Sequence, residues 1–344
     1  MNASSILVIR LRELGDTILA TPLLRQLKKI YPQARLDVLC QKANRVILKD
    51  SRYVDETIVL PRQASAREFL KLARSLRAKK YDLIIDAQGL PKTALMSRLI
   101  GAKKRTGFRD RGWRNRICYS HPIQRPPAEY MAMANLRLIQ DDRVDFRDTA
   151  LELEVSEKAE ASAEKFKRKY FAGPVAAVFG VDRYRYRSWS PQKTAVIADR
   201  LAGLGFQPWL VYGPGQEADA NRIASFMKCG SVCDYEMPTF DTLAALLSRC
   251  ALCVGNDGGP MHAARAVGIP TITIYHHAAA LSWAPIDDRQ HRIVCTRGAV
   301  LSNFGGHFVT DALSLDEIPI EAVWQTVMQV VSQCVSLRTT SIAA

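Results

Sequence analysis

At 344 residues the chain is long enough for two domains, and 48% hydrophobic with 24% charged residues is ordinary for a soluble globular protein. No apolar run approaches the roughly 20 residues that span a bilayer, and the short apolar run in MNASSILVIRLRELGD has no basic segment before it. Neither a membrane anchor nor a secretory signal is expected, and a cytoplasmic protein is, while a formal net charge of +14 asks for an acidic partner: nucleic acid, anionic lipid or a phosphorylated substrate.

In chain order, 6–9 reads as a first strand, and a helix to about residue 30 follows with Ile18, Leu19, Leu23, Leu27 and Ile30 on one face. Strands two and three fall at 35–39 and 57–60, an amphipathic helix at 66–79, and strand four at 81–86, ending in Ala87-Gln88-Gly89. Residues 98–116 are strongly basic: Arg98, Lys103, Lys104, Arg105, Arg109, Arg111, Arg114 and Arg116 face only Asp110, with Phe108 and Trp113 interleaved. A charge run is commonly a solvated loop. Here the arginines and glycines read instead as a binding loop, because guanidinium groups take phosphate bidentately. A helix at 128–140 closes this part.

The boundary is expected between 150 and 174, giving an N-terminal domain 1–155, a linker region 156–174 and a second domain 175–318, with a last helix and tail over 319–344 that can pack back across the domains. In the second domain 175–179 and 208–212 read as strands, and 157–169, 191–204 and 240–248 as helices. Alternating strands and helices at this spacing define an α/β chain with parallel sheets. Residues 252–275, LCVGNDGGPMHAARAVGIPTITIY, form a strand–loop–helix–strand unit, with Pro260 at a helix start and Gly268 after its end. Free N–H groups near Met261 and His262, with the helix dipole and the close approach allowed by Gly258 and Gly259, would suit a phosphate. The plainer reading is an ordinary tight turn.

Eight cysteines include the pair Cys229 and Cys233 and the C-x-x-C of Cys250 and Cys253. Neither lies in a zinc knuckle, so buried reduced thiols are expected and no metal site. The chain also lacks G-x-G-x-x-G and the P-loop motif, which argues against a common dinucleotide or P-loop enzyme.

ILVIRLRELGDTILATPLLRQLKKIYPQARLDVL, the W-S-P after the strand at 175 and VGNDGGPMHAARAVGIPTITIY together resemble family 9 glycosyltransferases, the lipopolysaccharide heptosyltransferases. The resemblance spans residues 6 to about 285, with Gly15-Asp16 and D-x-G-P-x-H as anchors. It implies a GT-B fold, two Rossmann-like domains whose parallel sheets face a central cleft, with the acceptor on the first and the nucleotide-sugar on the second. It implies an inverting transfer from ADP-heptose that needs no metal and no cofactor. Asp16 matches the family's base, a role that a partly desolvated carboxylate with a raised pKa would suit; capping of the helix at Thr17 is the structural alternative. Arg187 stands where the family has a lysine against the diphosphate, and Glu217 matches a glutamate that holds the ribose. Asp257, Gly258, Gly259, Met261 and His262 fall in the donor loop. Gly258 replaces a common hydroxyl residue, and Tyr275-His276-His277 departs from the family's turn, which bears on donor identity.

The expected partners are thus a nucleotide-sugar and a phosphorylated glycolipid acceptor at the anionic inner membrane surface, with Arg109, Arg111 and Arg114 holding acceptor phosphates or lipid. No nucleic acid is expected. The alternatives are a GT-B enzyme with another donor or reaction, such as a sugar-nucleotide epimerase, and a basic nucleic-acid-binding protein.

Overall fold

The computed structural model describes residues 3–109, 117–181, 188–230, 239–285, 288–296, 301–304, 307–310 and 314–335. The chain forms two compact units, Met1–Glu154 and Val155–Ala344.

The first unit is a six-stranded parallel sheet of β1 (Ser5–Ile9), β2 (Arg35–Cys40), β3 (Glu56–Val59), β4 (Leu83–Asp86), β5 (Lys104–Phe108) and β6 (His121–Ile123), in the order β3-β2-β1-β4-β5-β6. Its central strands are continuous apolar runs, as a sheet covered on both faces requires. The helices are α1 (Leu14–Ile18), α2 (Thr21–Ile30), α3 (Arg45–Leu48), α4 (Ala66–Ala78), α5 (Pro91–Ile100) and α6 (Met131–Arg137). On one face α4 and α5 lie side by side, and Phe69, Ala73, Leu76, Met96 and Ile100 pack on Leu7, Ile9, Leu39 and Ile84.

The first helix of the sequence is two helices. Pro22 lacks the N–H that an unbroken helix would give to the Ile18 carbonyl, and Thr21 Oγ1 donates to that oxygen at 2.7 Å instead. The basic stretch is also less open than expected. Arg98 ends α5, and Lys104 and Arg105 begin β5. Lys104 Nζ donates to the carbonyls of Ile139 and Gln140 at 3.2 and 3.0 Å, and Arg105 donates to those of Ala102 and Cys118 at 2.7 and 3.2 Å. These cations serve their own unit.

The second unit has a parallel sheet of β7 (Val175–Phe179), β8 (Gln207–Leu210), β9 (Leu252–Asn256), β10 (Thr271–Tyr275) and β11 (His291–Cys295), in the order β11-β10-β9-β7-β8. A separate antiparallel ribbon joins β12 (Leu301–Phe304) and β13 (His307–Thr310). Its helices are α7 (Glu157–Tyr170), α8 (Pro191–Gly203), α9 (Glu217–Ala224), α10 (Phe240–Leu247), α11 (Gly259–Ala266), α12 (His277–Trp283) and α13 (Ile320–Val330).

Two stretches bear on the domain limits. In 156–174, read as a linker region with a helix at 157–169, α7 packs on α10, Ser156 caps it and donates to Asp241 at 2.7 Å, and Arg249 pairs with Glu160 at 2.5 Å. The last helix, α13, buries Val323, Val327 and Val330 with Ile272, Ile274 and Leu201, so its apolar stripe completes the second unit's own core.

In each sheet the strand order reverses once, between β1 and β4 in the first and between β7 and β9 in the second. Ligands of open parallel sheets bind outside the carboxyl ends of the strands at such a reversal. Among the described residues, no helix is long and apolar enough to cross a membrane.

Candidate active site

Both anchors of the sequence stand at these reversals. In the first unit β1 runs directly into Arg10, which is 4% exposed. Its Nη2 lies 2.6 Å from Asp16 Oδ2, and its Nη1 donates to the carbonyl of Ala87, just past the end of β4. The carboxylate is partly exposed, so it can meet a substrate while the guanidinium beneath it is sealed in. An opposite charge this close favours the anion, the form a general base needs.

Asp16 is no cap. Helix α1 starts at Leu14, its N-cap is Glu13, and Asp16 lies within the first turn. Glu13 takes φ 57 and ψ 127, a backbone region that non-glycine residues avoid. Its carbonyl accepts from Asn44 Nδ2 at 3.1 Å, and the same amide donates to Thr17 Oγ1 at 2.6 Å, so α3's leading residue pins the turn.

The other side of the reversal carries residues that the sequence did not single out. Asp86 ends β4 fully buried; its Oδ1 accepts from the N–H groups of Gln88 and Gly89 at 3.0 and 2.9 Å, and its Oδ2 from the Tyr119 hydroxyl at 2.8 Å. Burial pushes this carboxyl above its ordinary range, and the N–H and hydroxyl donors pull against that. The turn so held presents Gln88 Oε1 to the N–H groups of Leu11 and Arg12 at 3.0 and 2.8 Å. Gly107 is required here, because a Cβ would stand 2.3 Å from the Tyr119 ring. The signal was an aspartate ending an apolar strand before a Gly-bearing turn; its partner Tyr119 lies too far along the chain to be read.

Of the expected acceptor residues, Arg109 is exposed and donates from Nε to Gln124 Oε1 at 2.8 Å. Arg111 and Arg114 lie outside the described residues, as does Arg187.

In the second unit β9 ends in Asn256, which ties the reversal together. Its Oδ1 accepts from the Trp189 N–H at 3.1 Å and its Nδ2 donates to the Gly180 carbonyl at 3.0 Å. That gives the W-S-P stretch a structural part: Trp189 is buried, Ser190 caps α8 and Pro191 opens it. Gly255 and Gly258 allow close approach to Phe179. A Cβ on Gly255 would stand 2.1 Å from the Phe179 carbonyl oxygen, and one on Gly258 2.7 Å from its ring. The missing hydroxyl residue at 258 therefore has a local cause: the ring fills its space.

Gly258 is the N-cap of α11. The N–H groups of Met261 and His262, expected to be free, both donate to its carbonyl, at 3.1 and 3.3 Å. Among the described residues, the N–H groups left for an anion are those of Gly258 and Gly259, since Pro260 has none. Asp257 is buried, with its Oδ1 3.7 Å from His262 Nε2. Arg265, which the sequence reading passed over, donates from Nη2 to His262 Nδ1 and to the Trp283 carbonyl, the latter at 3.1 Å. A guanidinium only donates, so Nδ1 accepts and Nε2 carries the imidazole proton, toward Asp257. Helix α12, with His276 as its N-cap, closes the unit, and the Tyr275 hydroxyl meets the same Trp283 carbonyl at 3.2 Å. Glu217 is exposed at the first position of α9, and its Oε1 accepts from the Gly215 N–H at 3.2 Å.

The buried Cys253 thiol sits 3.3 Å from the Met261 sulfur, and burial pushes the Cys250 thiol up to about 12, so both are core thiols.

A partly exposed carboxylate at the reversal of one parallel sheet and a glycine-bearing βα turn at the reversal of another place the chain in the two-sheet α/β class. Residues 69–302 match the model of glycosyltransferase family 9 (heptosyltransferase), and the chain belongs to that family. It is a glycosyltransferase with the two parallel α/β units of the GT-B class. Lipopolysaccharide heptosyltransferase 3 of Escherichia coli is 27% identical over 292 residues, 79% of this chain and 83% of that protein. Among solved structures, a family 9 glycosyl transferase from Veillonella parvula superimposes with a TM-score of 0.81 at 20% identity, covering 96% of this chain and 98% of that one. ADP-heptose lps heptosyltransferase II of E. coli gives 0.74 at 22%, covering 96% and 99%.

Proposed function

We propose that this protein is an inverting, metal-independent heptosyltransferase that moves heptose from ADP-heptose onto a phosphorylated lipopolysaccharide core acceptor, as a cytoplasmic enzyme at the inner membrane surface. The observation that carries the reading is the Arg10–Asp16 pair at the first sheet's reversal: a partly exposed carboxylate held 2.6 Å from a buried guanidinium. Asp16 takes the proton of the acceptor hydroxyl as that oxygen attacks the anomeric carbon from the face opposite the diphosphate. The glycosidic bond to ADP breaks, and the anomeric configuration inverts.

The leaving diphosphate gathers negative charge. The Gly258 and Gly259 N–H groups at the start of α11 and the cation Arg187, assigned by resemblance, would take it up without a metal. Asp257 and its neighbour His262 would contact sugar hydroxyls, a fitting place for a carboxylate that a diphosphate would repel. Glu217, exposed on α9, would accept from the ribose hydroxyls in place of the Gly215 N–H. Arg109, Arg111 and Arg114 would hold acceptor phosphates. The relative named for ADP-heptose supports this donor.

Calorimetry with ADP, UDP and GDP tests the donor. ADP-selective binding that is lost in Glu217→Ala or Arg187→Ala and survives chelator is expected. Selective UDP binding would overturn the heptose assignment. Conversion of the nucleotide-sugar in the absence of acceptor would point to an epimerase instead.

A further inference from the structure

We propose that the outer face of the α4–α5 pair is a docking surface for an anionic membrane. Helix α4 carries Arg67, Lys71, Arg74 and Arg77 at helical spacing on the side opposite its buried Phe69, Ala73 and Leu76. Leu70 stands within this stripe and is 43% exposed; Leu95, on the exposed side of neighbouring α5, is 46% exposed and flanked by exposed Lys92 and Arg98. Two large aliphatic side chains left in water amid six cations are unusual for a solvated face, which is normally mixed in sign.

Most of these cations also lack an acid. On the same unit Lys79 pairs with Asp37 and Glu56, Arg35 with Glu56, and Arg25 with Asp148. On this face Arg77 donates to the Leu99 carbonyl at 3.2 Å and Lys92 Nζ lies 5.6 Å from the Phe69 ring centre, and among the described residues no ion pair to a carboxylate is seen for Arg67, Lys71, Arg74, Lys92 or Arg98. The one acid near the stripe, Glu68, is turned back into the capping box with Ser65. A basic helical face with interspersed leucines fits anionic headgroups, which attract each cation while the leucines enter the interface. A second copy of the chain would set like charges against each other across a two-fold axis, so self-association is disfavoured.

Orientation adds a functional reason. Both helices run back from the sheet's carboxyl edge: α5 begins at Pro91, just after the Ala87-Gln88-Gly89 turn that holds Arg10 and the backbone before Asp16. A bilayer against α4 and α5 would border the edge that carries Asp16, within reach of a sugar standing on a lipid. This last step rests on the heptosyltransferase reading; the docking itself does not.

The test is flotation of the full-length protein with phosphatidylcholine vesicles, with and without phosphatidylglycerol. Binding is expected only to the anionic vesicles and weakens as salt is raised. The triple change Arg67→Glu, Lys71→Glu and Arg74→Glu should reduce it about tenfold or more. Leu70→Ser with Leu95→Ser should reduce it severalfold and leave the salt dependence in place. ADP binding and transfer to a soluble, deacylated acceptor should be unchanged by either set, which also shows that the variants fold. Unchanged vesicle binding would overturn the proposal. So would a loss produced only by reversing Arg109, Arg111 and Arg114, a dimer that the leucine changes dissolve, or a preference for duplex DNA or RNA that the triple change abolishes. Vesicle binding by a protein that transfers no heptose would instead defeat the functional reading and leave the docking surface standing.

Discussion

At the first sheet's reversal the space beyond the strands is filled by charge: Arg10 lies between the Ala87 carbonyl and Asp16, and Asp86 ties the facing turn to Tyr119. At the second sheet's reversal the contacts are close backbone packing, with Gly255 and Gly258 drawn against Phe179 and the amide of Asn256 bridging Trp189 to Gly180. On the proposed function, the difference suits what each edge would handle. A proton acceptor needs a fixed charge and a guarded protonation state, whereas a diphosphate brings its own charge and needs backbone N–H groups with room to approach. The first edge should therefore fail through chemistry when altered, and the second through packing.

The largest effect is expected at Asp16. Asp16→Asn keeps the shape of the side chain and removes its basicity, so turnover with ADP-heptose and acceptor should fall about 10²–10⁴-fold. ADP affinity measured by calorimetry should stay the same. A variant with near-normal turnover would remove the base from the first edge and dissolve the contrast.

The second edge should break differently. In Gly255→Ala the new methyl meets the Phe179 carbonyl, a backbone atom that cannot swing away, so β7 and β9 must part; a loss of about 3 kcal/mol in denaturant unfolding is expected. Gly258→Ala meets only the edge of the Phe179 ring and should cost less. Gly203→Ala, where nothing lies within 4 Å, is the control and should leave stability unchanged or slightly improved.

A smaller, mixed effect is expected at Tyr119, where packing and chemistry of the first edge meet. Tyr119→Phe removes one donor from the buried Asp86 and should cost about 1–2 kcal/mol. Because the Asp86 turn holds Gln88 and Ala87 against the segment before Asp16, kcat should fall severalfold while ADP binding is unmoved. A stability loss with unchanged kcat would confine Asp86 and Tyr119 to structure.

How much of this could be read from the chain depends on how local each cause is. Strands β1, β4, β7 and β9 were legible because apolar runs leading into Gly-bearing turns carry their own signal, and β10 because a β-branched run follows Gly268-Ile269-Pro270. Strand β5 was hidden because Lys104 and Arg105 look like loop residues until their heads are seen on the carbonyls of Ile139, Gln140, Ala102 and Cys118. Three-residue β6 is too short to show a period. Asp16 was legible from its place after a strand and a glycine, yet Arg10, six residues earlier, passed as one more cation in a basic chain. Its burial is fixed by the Ala87 carbonyl, 77 residues away. Arg265 was missed for the same reason, since only the fold brings His262 and Trp283 to it.

The smallest effect concerns pH and separates the first edge from its outer supports. Asp148 receives Arg25 at 2.5 Å, Lys29 at 2.7 Å and Gln26 at 2.7 Å, all from α2, the helix that continues from the one bearing Asp16. Burial works to raise its carboxyl, but Arg25 and Lys29 outweigh it and hold it down to about 2. The folded state therefore binds this proton less readily than the unfolded chain, whose aspartates titrate near about 3.9. The stabilisation is fully present above that value and is lost as pH falls from about 4 toward 2, amounting to about 1–2 kcal/mol after solvent screening. Unfolding by urea, followed from pH 6 down to pH 3 in the parent and in Asp148→Asn, reads it directly: the variant should be weaker at pH 6, and the gap should narrow as acid is added. A gap that stayed constant would mean that α2 is held by packing and not by these pairs, and the charge-built character of the first unit would then end at Arg10 and Asp16.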